Sequence, residues 1–342
     1  MKTNKIIFAL SSLYAAFATN AADALQYSAD RFALKLTGYG DLAMIEPEFK
    51  DPLITGDWKL RGQANYAVAA GQTMGMVYSI DAQRTRRHRY MTDLFALFED
   101  RSVGRIELGL TESIAAKLGL GLPDVGGLRM NDNPLFYDRI SPRGAVVADT
   151  TLDSGTQALR INLASSPTNT VQYGLSASGV TDDYKFAVDA AAKIRRPSGK
   201  VKTAYSVGAS FMDSPENFYQ DPYSALVTAD WRAQGTLGFN LQYNSVIWGV
   251  TLRGIYDENP IGVASDGIAA GTGISYDLMQ YSFSLSYMFS ETGIWHDYTP
   301  DYADHTVLGS LRYKYSENVT GWMSLGSTTK TPFVAAGIRL SF

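Results

Sequence analysis

Residues 332–342 read PFVAAGIRLSF. Val334, Ala336, Ile338, Leu340 and Phe342 share one face of an extended strand, and Ala335, Gly337, Arg339 and Ser341 share the other. The period is two, with one side apolar and the other small or charged. Two environments accept such a strand. In a water-soluble sheet the apolar side packs on a core; in a membrane-spanning barrel it meets lipid while the polar side lines a wet lumen. One segment does not separate them, so the number of repeats decides.

The start of the chain narrows the choice. MKTNK is basic, Ile6 to Ala18 is apolar, and Thr19-Asn20-Ala21 or Ala22-Asp23-Ala24 follows as a cleavage site. This is the layout of a secretory signal peptide, residues 1–24, because the apolar run is too short to span a bilayer as a helix. The remaining 318 residues, 25–342, carry 28 basic and 33 acidic side chains, a net charge near −5 that gives no reason to expect a nucleic-acid partner. An exported chain with no cysteine must be held by sheet and packing alone. No later apolar run approaches the length of a membrane helix.

Alternation recurs along the whole mature chain. Phe32, Leu34 and Leu36 oppose Lys35 and Thr37; Trp58, Leu60 and Tyr66 oppose Lys59 and Arg61; Met74, Met76 and Tyr78 follow the turn at Ala70-Gly71-Gln72. Trp231 to Tyr243 holds one parity throughout and reads as one strand, not two. A hairpin is expected about Asp277-Leu278. Met91 to Asp100 is less regular, apolar on both faces around Phe95, and alternation stops altogether from Glu112 to Gly155. The strands number sixteen, an even count joined by short turns alternating with longer loops. That predicts an all-β fold, a closed antiparallel transmembrane β-barrel with both ends on one side.

These strands, the signal peptide, GRIELGL (Gly104–Leu110) running into the long insertion, NPLFYD (Asn133–Asp138) and the terminal phenylalanine together resemble the Gram-negative general porins of the outer membrane. The resemblance implies that the long third extracellular loop, residues 112–155, folds into the lumen and constricts it. It also implies a homotrimer, and a last strand whose Phe342 is read by the barrel-assembly machinery. The second loop departs from the family pattern: it is short and loaded with arginine, which puts its reach over a neighbouring subunit in doubt.

Parity places Lys35, Lys59, Arg61, Arg160, Arg253, Arg312 and Lys314 on the lumen wall, with Asp41, Asp81, Asp189 and Asp257. The inserted loop carries Glu112, Asp124, Asp132 and Asp138. If it crosses the lumen, Asp124 and Asp132 stand opposite Lys35, Lys59 and Arg61, and a transverse field there would orient polar solutes. Ordinary solvated lumen charges are the other reading. Arg84, Arg86, Arg87 and Arg89 either contact lipopolysaccharide phosphates at the outer rim or form a solvated basic loop. Outward aromatics gather from Tyr205 onward, so the first five strands and the last are expected at the subunit interface. The three histidines, His88, His296 and His305, lie in or beside loops; only His296 with Ser290 comes near a catalytic pairing. No enzyme, cofactor or metal is expected. The expected function is passive diffusion of small hydrophilic solutes and ions, with a substrate-selective channel or an adhesin on a barrel scaffold as alternatives.

Overall fold

The computed structural model of the chain describes residues 25–47, 53–83, 90–125, 158–179, 186–213, 231–258, 265–294, 302–328 and 332–342. They form one antiparallel sheet rolled shut. A short strand, β1 (Leu25–Ala29), precedes sixteen that make the ring. The first five of these are β2 (Phe32–Pro47), β3 (Leu53–Ala69), β4 (Gln72–Gln83), β5 (Tyr90–Asp100) and β6 (Gly104–Thr111). A five-residue helix, α1 (Ile114–Leu118), separates them from β7 (Ala158–Ala164), β8 (Val171–Ser178), β9 (Phe186–Ser198) and β10 (Val201–Asp213). Then come β11 (Trp231–Tyr243), β12 (Val246–Glu258), β13 (Ser265–Leu278) and β14 (Tyr281–Ile294). The ring ends with β15 (Tyr302–Lys314), β16 (Val319–Thr328) and β17 (Pro332–Ser341). Each ring strand pairs with its chain neighbour, and β17 closes on β2 with Arg339 opposite Asp41. Closure gives each of the sixteen ring strands a partner on both sides, the condition lipid imposes.

β1 was not legible beforehand, since the sequence reading opened the first strand at Phe32. It pairs Leu25 to Ala29 with Leu36 to Phe32, on the edge of β2 that β17 leaves vacant. β1 and β17 therefore lie end to end along one strand. The Trp231–Tyr243 segment is one strand, as its parity required. The hairpin expected at Asp277-Leu278 turns two residues later, at Met279-Gln280, where Met279 has φ 50°. Leu278 keeps the outward parity of Ile274 and Tyr276 and still pairs with Tyr281, so the strand runs on to it. The short turns gather at one end of the barrel and the longer connections at the other.

Burial runs opposite to that of a water-soluble sheet. Along β8, Val171, Tyr173 and Leu175 are 47%, 61% and 57% exposed, while Gln172, Ser176 and Ser178 are 6%, 3% and 6% exposed. The same inversion holds along β10, β11 and β14. A core-forming sheet would hide the leucines and show the serines. The outward aromatics stack into two rows. Toward the short turns lie Tyr205 on Phe239 at 5.0 Å and Tyr281 on Tyr313 at 4.9 Å. Toward the long loops lie Phe211 on Trp231 at 6.0 Å and Trp231 on Tyr256 at 5.2 Å. Trp231 and Phe239 are eight residues apart on β11, about 27 Å along the strand and roughly 20 Å along a barrel axis at the usual tilt. That is close to the height of an apolar band between interfacial girdles. Among the described residues no helix is long and apolar enough to cross a membrane.

Candidate functional site

After β6 the chain turns inward, and residues 112–125 lie along the inner wall from β8 to β14. The sequence provides the seats. Gly174 receives Ile114, whose Cγ1 stands only 2.6 Å from where a glycine-replacing Cβ would sit. Gly249 and Gly273 form a second notch for Pro123, with its Cδ 2.7 Å and 3.4 Å from the corresponding positions. Serines between the notches take up the backbone. Ile114 N donates to Ser176 Oγ at 3.2 Å, Leu120 N to Ser206 Oγ at 3.2 Å and Val125 N to Ser284 Oγ at 3.2 Å. Ser284 Oγ in turn donates to Asp124 Oδ1 at 3.0 Å. Ser113 caps α1, its Oγ accepting from Ala116 N at 3.1 Å. Ile114, Ala115 and Leu118 pack on Ala191 and Ala164.

Two ionic clusters sit at the base of this segment. Glu107 on β6 accepts from Asn162 Nδ2 at 2.8 Å and from the Lys117 ammonium, and its carboxylate is ion-paired with Arg105, Nε 2.8 Å away. Lys117 Nζ also donates to Thr111 Oγ1 at 2.6 Å and stands 4.9 Å from the centre of the Phe95 ring. Burial lowers the Lys117 pKa from its ordinary value, and the Glu107 carboxylate opposes that shift. The second cluster is Arg160 with Asp189, 2.8 Å apart, with Ser176 Oγ donating to the same carboxylate at 3.0 Å. Arg160 and Asp189 are each 1% exposed. Both lie on the inward face as the parity predicted, but neither presents its charge to an open lumen. Arg160 is thus corrected from a pore-wall cation to one half of a covered ion pair.

The other wall residues lie farther from the segment. Lys35 is exposed and Lys59 and Arg61 half-buried on the inward faces of β2 and β3. Arg253 donates to Gln234 Oε1 at 2.6 Å, and Arg312 to Ser282 Oγ at 2.8 Å with Asp277 at 3.5 Å. Asp124 does not stand opposite the Lys35 wall. It rests on β14, four strands from β2 in a ring of sixteen, a quarter turn away. Glu112 lies at the start of the segment, its carbonyl accepting from Asn162 Nδ2 at 2.9 Å. Asp132, Asp138, Arg84, Arg86, Arg87, Arg89 and the signal segment lie outside the described residues, as do His88 and His296. His305 is on the outward face, bonded to Tyr287 Oη at 2.7 Å. No group of three or more metal-ligating side chains occurs among the described residues.

A closed sixteen-strand ring, apolar outward, with the connection after its fifth long strand laid along its inner wall, decides the architecture. The fold is that of the porins. No family model matches the sequence, and no curated protein does. Solved structures carry the likeness instead. OmpT of Vibrio cholerae, an outer-membrane protein solved in trimer form, superposes with a TM-score of 0.71 at 11% identity over 92% of this chain and 100% of that one. OmpF of Salmonella typhi gives 0.65 at 12% identity over 93% and 100%. An anion-selective porin from Comamonas acidovorans gives 0.62 at 13% identity over 91% and 100%. At such identities the likeness concerns the porin fold alone.

The sequence reading missed what holds the porin-fold loop in place. Gly174, Gly249, Gly273, Ser176, Ser206 and Ser284 are scattered over 110 residues and meet only once the ring closes. The one signal available was the run of small residues on the inward parity of β8 to β14.

Proposed function

We propose that the chain is an outer-membrane channel through which small hydrophilic solutes and ions diffuse passively. One observation carries the reading: lipid-type side chains face out while serines, threonines and charged groups face in, around a closed ring. A wet axis is the environment that inverted order fits. The segment 112–125 narrows the axis from the β8–β14 side, and Asp124 supplies an acidic group to it. Homotrimer assembly rests on the fold likeness to structures such as the trimeric Vibrio OmpT; Phe342 as an assembly signal rests on the sequence resemblance, and the arginine cluster as a lipopolysaccharide contact on the bidentate fit of guanidinium to phosphate. In a planar bilayer the purified chain gives discrete conductance steps. A barrel used only as an adhesin scaffold stays silent, and that result ends the proposal.

A further inference from the structure

The chain is acidic overall, with a net charge of −4, yet two patches of its inward face are basic. On β2 and β3, Lys35, Lys59 and Arg61 point into the lumen; on β9 and β10, Lys193, Arg195 and Lys202 do the same. All six are exposed or half-buried, whereas inward side chains nearer the long loops, such as Ile45, Met288, Thr306 and Ala335, are buried. β10 lies eight strands from β2 in a ring of sixteen, so the two patches face each other across the barrel. They occupy its middle and short-turn levels.

Several carboxylates that share this wall have cations of their own. Asp41 is held by Arg339, Asp277 by Arg312 at 3.5 Å, and Glu99 by Arg105 at 3.7 Å. Asp81 stands opposite Lys59 in the strand register. Asp57 lies opposite Asp41 in the register, and Asp93 accepts from Ser79 Oγ at 2.6 Å; counted against these two and Asp81, the six cations are still in excess. A sixteen-strand barrel is roughly 30 Å wide between backbones. Lysine and arginine stems reach inward from both sides, leaving a gap of about two Debye lengths at physiological salt. At that width the fields of facing patches overlap at the axis, and low-dielectric walls strengthen them.

We infer that the short-turn half of the lumen is an anion vestibule, and that the solutes this channel favours are small anions bearing carboxylate or phosphate groups. The inference rests on the channel reading above and adds its charge preference. Asp124 stands away from both patches: it accepts from Ser284 on β14, four strands from β2 and four from β10.

Reversal potentials in a potassium chloride gradient test it. The wild-type chain passes chloride in preference to potassium. Lys35→Gln/Lys59→Gln/Arg61→Gln and Lys193→Gln/Arg195→Gln/Lys202→Gln each move the reversal potential toward the potassium side, and the six-fold variant moves it farthest. Raising the salt weakens the wild-type preference. Conducting wild-type channels that prefer potassium overturn the inference and leave the channel reading standing, and so do conducting variants that match the wild type. A folded chain with no conductance removes both. Heat-shifted gel mobility confirms that each variant is folded; if one triple variant is not, the other still decides.

Discussion

Gly249 has the shortest possible side chain because two others occupy its space. A Cβ there would meet Asn240 Oδ1 at 2.3 Å and Pro123 Cδ at 2.7 Å. Gly249→Ala should therefore push Pro123 toward the axis and lower single-channel conductance, with little loss of barrel stability since Asn240 can swing away. An unchanged step size would mean that Pro123 does not set the bore. Lys117 offers a second test. Glu107 is 4% exposed, and Lys117→Met leaves its carboxylate with Arg105 and Asn162 alone. Removing one partner of a buried pair costs up to about 3–5 kcal/mol, softened here by the two donors that remain. The expected result is a noisier open state in bilayer recordings as the base of the segment loosens. Individual residues were partly legible. The inward parity of Arg160 and Asp189 followed from alternation alone. Their burial did not, with Ile114 N bonded to the Ser176 hydroxyl that donates to Asp189, because alternation along a strand contains no information about what lies over it.

Among the elements, the seam between β17 and β2 joins residues almost the whole chain apart. Arg339 forks onto Asp41, with Nε 3.0 Å and 2.9 Å from its two oxygens, and its guanidinium carbon lies 4.6 Å from the centre of the Tyr39 ring. Phe342 exchanges two backbone hydrogen bonds of 2.9 Å with Gly38, and its ring fills the space above that glycine. An ion pair set directly across strands contributes up to about 1 kcal/mol, more when bidentate. Asp41→Asn should lower the temperature at which the folded band is lost on a gel. Gly38→Val should lower it further, because the new side chain meets the Phe342 ring and the Lys59 carbonyl. Equal melting of Gly38→Val and wild type would show that the seat is dispensable. The strands were the most legible part of the molecule, since a two-residue period survives any tertiary context that wets one face and greases the other. β1 escaped because five residues give too few periods, and its role is set by where β17 stops.

For the whole molecule, the decisive test opposes two neighbouring residues. Leu237 lies at the middle of β11 and is 54% exposed; Thr236 beside it is 4% exposed. For a protein in water, Leu237→Arg would be harmless. In a bilayer it should cost about 2–4 kcal/mol, because that position lies near the midplane. Refolding into lipid vesicles with a urea titration measures it, and a shift near zero contradicts the membrane-facing assignment. The assembled ring also fixes a timetable. Val125 and Ser284, 159 positions apart, touch across the lumen side of the wall, so a segment made early must wait for strands made late. Ring closure over such separations is slow. The narrowing of the passage is therefore an ending to maturation, installed only after the shell exists to receive it, and a barrel arrested before that moment would be a wider hole than the finished one.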